Sequence, residues 1–109
     1  MQNLYKNEDE RRILYEWIQD TPFRTSKVVI AKSKQAVGNH YHKKKDEIFF
    51  LVQGKANRVM IGNTEEFDIT APKIFECPRG TYHMFELEEG SILLGVATKK
   101  FDKDDEITQ

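Results

Sequence analysis

All three histidines of the chain fall within two short windows, His40-Tyr41-His42 and Pro78-Arg79-Gly80-Thr81-Tyr82-His83. Neutral imidazole is a common ligand for divalent transition metals, so this concentration is the first chemical signal in the sequence. On an extended strand, residues two apart point to the same side about 7 Å apart, which lets His40 and His42 converge on one ion. Glu47, five residues after His42, could return a carboxylate to the same point. His83 would complete the set if the Pro-Arg-Gly turn lays its strand beside the first. Three imidazoles and a carboxylate suit a divalent ion that keeps one or two positions open for water or substrate. A His-x-His pair alone is more often an ordinary solvated pair on a strand. It is the set of four that points to a metal.

Positioning such a set requires strands, and the chain supplies short β-rich runs broken by turn signals, without a long helical stripe. The runs are Ile13 to Ile18, Lys27 to Lys32, Asn39 to Tyr41, Glu47 to Val52, Lys55 to Ile61, Glu66 to Ile69, Lys73 to Glu76, Thr81 to Leu87 and Ile92 to Thr98. Turn chemistry separates them at Asp20-Thr21-Pro22, Val37-Gly38-Asn39, Gln53-Gly54, Gly62-Asn63-Thr64, Ala71-Pro72, Pro78-Arg79-Gly80 and Glu89-Gly90-Ser91. An all-β fold is expected. The run Asn7 to Arg12 reads as solvated charge or a short helix start, and Asp102 to Glu106 as part of a polar tail. Strand Glu47 to Val52 has no polar face after Glu47, so it should be covered on both sides. In a small domain one cover is the core and the other could be a second copy, hence an expected homodimer.

With 109 residues, 17 Lys or Arg against 18 Asp or Glu, and 12 aromatics (Trp 1, Tyr 4, Phe 7), the chain is expected to form one globular domain. A net charge of -1 gives no sequence-wide reason to bind nucleic acid or an anionic membrane. Uncharged runs such as Gly90 to Thr98 fall far short of the roughly 20 apolar residues of a membrane span. Met1 to Glu10 lacks the apolar stretch of a secretory signal, so a cytoplasmic location is the default expectation. The single cysteine, Cys77, cannot form an internal disulfide and reads as a small core residue.

The segment Gly38-Asn39-His40-Tyr41-His42, followed by Lys43-Lys44-Lys45-Asp46, Glu47, six residues and Gly54, resembles the first motif of the cupin family, G-x5-H-x-H-x3-4-E-x6-G. Pro78-x-Gly80-x2-His83 resembles the heart of the second, G-x5-P-x-G-x2-H-x3-N. The 23 residues from Lys55 to Cys77 separate them. Departures are Lys34 in place of the opening glycine, Pro72 in place of the second motif's glycine and Leu87 in place of its closing asparagine. The resemblance implies a double-stranded β-helix, the cupin jelly roll, spanning 1–109, with residues 1–25 packing on the barrel and 102–109 as the polar tail. It also implies that His40, His42, Glu47 and His83 ligate a divalent transition metal (Fe, Mn, Ni, Co, Zn or Cu).

If His83 points inward, alternation brings Thr81, Phe85 and Leu87 inward too and turns Tyr82, Met84 and Glu86 away. Phe49 and Leu51 follow Glu47, so Phe49 and Phe85 are candidate walls of a substrate cavity. Arg58 is either a guanidinium inside the barrel, ready to clamp a phosphate or carboxylate, or a surface charge. Lys43, Lys44 and Lys45 could draw an anionic small molecule to the cavity mouth or form a solvated turn. Similarity to small bacterial cupins with a Gly-Thr-Tyr-His-x-Phe-Glu stretch implies isomerisation or epimerisation of a sugar or nucleotide-sugar, with Glu47 or a metal-bound hydroxide moving the proton. Alternatives are an Fe(II) dioxygenase and a non-enzymatic ligand-binding or sensor cupin.

Overall fold

The computed structural model describes residues 4–18, 22–99, 104 and 106–108. Eleven strands form in chain order: β1 Tyr5–Glu8, β2 Ile13–Glu16, β3 Thr25–Ile30, β4 Gln35–His42, β5 Glu47–Gln53, β6 Lys55–Ile61, β7 Thr64–Thr70, β8 Lys73–Cys77, β9 His83–Leu87, β10 Ile92–Ala97 and β11 Glu106–Thr108. There is no α-helix among the described residues. A four-stranded sheet in the order β3-β10-β5-β8 faces a five-stranded sheet in the order β11-β4-β9-β6-β7, and β1 with β2 makes a separate hairpin. All pairings are antiparallel. The expected jelly roll is thus the fold observed.

The core lies between the two sheets. Phe49 and Leu51 from β5, Phe75 from β8, Phe85 and Leu87 from β9, Val59 from β6 and Leu93 from β10 pack into one buried cluster. These are alternate residues of strands whose opposite faces meet solvent or the hairpin, the pattern that two packed sheets require. The Phe85 ring packs at a tilt against Phe49 at 5.0 Å and edge-on against Phe75 at 5.2 Å between ring centroids. Burying an aromatic ring of this size contributes about 3 kcal/mol by transfer alone.

Four expectations are corrected here. The run Asn7 to Arg12 is neither helix nor loose charge: it closes the β1–β2 hairpin, where Asp9 Oδ1 accepts from the backbone N–H of Arg11 (2.8 Å) and Arg12 (3.1 Å). The polar tail includes a strand, since Glu106, Ile107 and Thr108 pair with His42, Tyr41 and His40; Asp102, Lys103 and Asp105 lie outside the described residues. Val37-Gly38-Asn39 is a bulge within a continuous β4, not a turn. The outer face of β5, assigned to a second copy, is covered by the chain's own residues: Tyr15 and Trp17 lie 5.2 and 5.4 Å from the Phe50 ring.

Candidate metal centre

The site is built where the two sheets face each other. Strand β4 carries His40 and His42, its neighbour β9 carries His83, and Glu47 opens β5 in the opposite sheet. One ligand atom from each of the four residues lies within 4.8 Å of those from the other three. His42 Nε2 is 3.0 Å and His83 Nε2 3.5 Å from Glu47 Oε1. The imidazole of His40 sits edge-on to both His42 and His83, at 4.7 and 4.8 Å between centroids.

A backbone irregularity aligns these side chains. Gly38 and Asn39 both have positive φ, 95° and 69°, and the β4–β9 register shifts between Gly38 and His40. That shift sets His40 directly opposite His83. A Cβ at Gly38 would lie 2.7 Å from the His83 carbonyl oxygen, so the close approach and the left-handed φ both call for glycine. Two ties join the segments that carry the ligands: Gly80 N–H donates to the His42 carbonyl at 2.6 Å, and Asp46 Oδ1 accepts from the Arg79 backbone N–H at 2.8 Å. The Arg79 guanidinium adds an ion pair to Asp46 at 3.2 Å. These contacts hold the Asp46 carboxyl below its ordinary pKa, through the Arg79 side chain first and its backbone N–H second.

The donors fit a divalent cation. Glu47 is 2% exposed, yet its Oε1 makes no hydrogen bond, and neither does the buried Nδ1 of His83. A buried carboxylate oxygen left in that state is costly unless a charge meets it. Burial, then the neighbouring His40, His42 and Lys27, push the His83 pKa down to about 3, so its imidazole is neutral near pH 7 and keeps a lone pair to offer. Donors about 2.1 Å from an ion stand roughly 3.0–4.2 Å apart around it, so four ligand atoms within 4.8 Å of one another need draw in only slightly to share one.

Phe49 and Phe85 are at 1% and 0% exposure and pack under His83 at 5.4 and 6.2 Å, forming the floor of the cluster rather than an open wall. Leu87 and Leu51 continue that floor inward. Met84, placed by alternation on the opposite face, is also buried. Tyr41 and Tyr82 line a different hollow with Met60, and the Tyr82 hydroxyl donates to Asn39. Arg58 is not at the site. A bulge between Ala56 and Arg58 changes the phase of β6, so Ala56 and Val59 point inward. Arg58 instead meets Glu65 at 2.6 Å and Glu86 at 3.6 Å, in an ion-pair group about one-third exposed.

Two further residues stand near Glu47 that their sequence context does not single out. Lys27 reaches Glu47 Oε2 at 3.5 Å from the edge strand β3, and Lys45 is buried although Lys43 and Lys44 beside it are exposed. Cys77 stands opposite Glu47 on β8, and burial followed by the Glu47 charge pushes its thiol pKa up. It is a protonated core residue.

The two facing antiparallel sheets make the cupin-type jelly-roll fold. Residues 7–86 match the family described as the polysaccharide biosynthesis C-terminal domain, and the chain belongs to that family. No curated protein matches it by sequence. Among solved structures it is similar to a QdtA 3,4-ketoisomerase variant from Thermoanaerobacterium thermosaccharolyticum in complex with TDP, at 22% identity and TM-score 0.80, covering 97% of this chain and 83% of that one. A 3,4-ketoisomerase from Helicobacter canadensis gives 17% identity and TM-score 0.80, covering 98% and 87%. The capsular polysaccharide assembling protein CapF from Staphylococcus aureus gives 22% identity and TM-score 0.67, covering 97% of this chain but 34% of that one. At these identities the likeness establishes the fold.

Proposed function

We propose that this chain is a metal-dependent cupin isomerase or epimerase acting on a sugar or nucleotide-sugar. The single observation that carries the reading is the convergence of His40, His42, Glu47 and His83 inside the barrel. Membership in a polysaccharide biosynthesis family, and a fold shared with proteins described as 3,4-ketoisomerases and epimerases, support the choice of a sugar as substrate. When bound, the ion would polarise a substrate carbonyl and its neighbouring hydroxyl.

The chain's own residues do the rest. Glu47 turns Oε1 toward the imidazoles and Oε2 toward Lys27, so its two oxygens face different tasks. Oε2 takes a proton from the hydroxyl-bearing carbon and returns it to the former carbonyl carbon. The hydroxyl hydrogen passes to the other oxygen, and the carbonyl has moved by one position with no oxidant or reductant consumed. The apolar floor of Phe49, Phe85 and Leu87 excludes water from below, which slows escape of that proton. A homodimer belongs to this proposal; Val28 and Ile30, 62% and 61% exposed on β3, are apolar surface that a second copy could cover.

The test is metal analysis followed by exchange. Purified protein should hold about one divalent ion per chain and His42→Ala should lose it. The loaded protein should wash deuterium from heavy water into a TDP-linked 4-keto-6-deoxy sugar. A metal-free preparation that cannot be loaded defeats the metal reading, and oxygen uptake without exchange would point to a dioxygenase instead.

A further inference from the structure

We propose that Lys27 and Lys45 form an oxyanion clasp beside Glu47, which takes a carboxylate or phosphoryl group carried by the substrate. The proposal rests on the functional reading above for what that substrate is, though the clasp itself is read from the chain alone.

Lys27 lies on the inner row of the four-stranded sheet, where it faces Gly95 and Gly95 faces Phe49. Because position 95 has no side chain, the lysine stem can lie flat across the sheet. A Cβ there would meet the Phe49 ring at 2.9 Å and Lys27 Cε at 3.1 Å. The ammonium accordingly reaches 5.3 Å from the Phe49 ring centroid and 3.5 Å from Glu47 Oε2.

Lys45 approaches the same place from the β4–β5 connection. Only 6% of the residue is exposed, and its ammonium makes no hydrogen bond or ion pair among the described residues. Lys45 lines the cavity beside Glu47, so an anion entering that cavity would meet an ammonium that has no competing carboxylate among the described residues. Lys27, Lys45, Glu47 and Gly95 line one cavity of about 80 Å³. Its two lysines outnumber its one carboxylate, whose Oε2 is already met by Lys27. At about 30 Å³ per water in the liquid, the space suits a group of a few heavy atoms, such as a carboxylate or phosphoryl. An acid group held here would set the neighbouring substrate oxygens beside the four-ligand cluster.

Calorimetric titration of metal-free protein at low ionic strength, with inorganic phosphate in one arm and acetate in the other, tests the clasp. Saturable binding of at least one anion is expected, with phosphate preferred if the substrate group is phosphoryl and acetate if it is a sugar acid. Lys45→Met should weaken that binding at least tenfold, and Lys27→Met and Gly95→Ala several-fold. Phosphate should raise the wild-type melting temperature and leave that of Lys45→Met unmoved. No saturable binding of either anion by the wild type, or equal binding by wild type and Lys45→Met, overturns the proposal. Should Lys45→Met fail to fold, Lys27→Met and Gly95→Ala decide by the same titration. Since the titration uses metal-free protein, failure of the clasp leaves the metal reading to elemental analysis, and loss of metal leaves the clasp to calorimetry.

Discussion

Two charged groups occupy the same barrel and differ in almost every respect. On the outside, Arg58 sits between Glu65 and Glu86, each about one-third exposed. On the inside, Glu47 and Lys45 are buried, two imidazoles lie within 3.5 Å of one carboxylate oxygen with a third in the same cluster, and two lysines share one cavity. The outer group is complete in itself and screened by solvent, which limits what it can contribute to stability. The inner group is incomplete, with a buried carboxylate oxygen that makes no hydrogen bond and a lysine without an ion pair among the described residues. Charge that satisfies itself holds a sheet together, whereas charge left wanting inside a barrel implies a guest.

The contrast can be broken most decisively at the cluster. Replacing His42 with alanine should lower divalent-ion affinity at least about 100-fold, close to 2.7 kcal/mol, while far-ultraviolet circular dichroism stays unchanged. Affinity within threefold of wild type by competition with a chelating dye would remove the inner group's special status. Next comes the bulge that aligns the ligands: Gly38→Ala should destabilise the fold by about 1–3 kcal/mol in urea, since φ is 95° and the new Cβ meets the His83 carbonyl. An unchanged midpoint would mean the bulge is not under constraint.

A smaller effect is expected at the rim. Arg79 holds the Asp46 carboxyl below its ordinary value in the folded chain, so the folded pKa is lower than the unfolded one. The stabilisation is therefore complete above the unfolded value and fades as pH falls through the folded one. Between about pH 5 and about pH 2, wild type should lose more melting temperature than Asp46→Asn does. Parallel curves would count against the tie. The smallest effect belongs to the outer group: Arg58→Met should leave the urea midpoint close to that of wild type and leave metal and anion binding alone. A change in either binding would draw the two groups back together.

Much of the fold could be read in the residues because turn chemistry punctuates apolar runs: β6 spans Lys55–Ile61, as its sequence predicts, and β10 spans Ile92–Ala97 against an expected Ile92 to Thr98. The misreadings have definite causes. Strand β1, Tyr-Lys-Asn-Glu, is exposed at every residue, so no burial period marks it. Strand β4 was cut short at Asn39 because Gly38 and Asn39 have the chemistry of a turn and are used for a bulge. The same device on β6 put Arg58 outside, since one extra residue reverses every later side chain and leaves no composition signature. The four-residue cluster was legible because histidine is rare and its spacing matched a strand. Lys27 was not, because a lysine opening a strand looks like any other until the residue opposite it is known to be Gly95. Lys45 stood in a run of three lysines whose different burial only the connection between β4 and β5 decides.

Trp17 is the chain's single tryptophan, and it rests on the back of β5 against Phe50. Its emission is therefore a reporter of whether the N-terminal segment stays docked, and is blind by position to what occupies the interior on the far side of the same strand. If that segment peels away before the barrel opens, fluorescence and circular dichroism will give separate melting curves, and a single-probe denaturation would misstate how firmly the rest of the molecule is held.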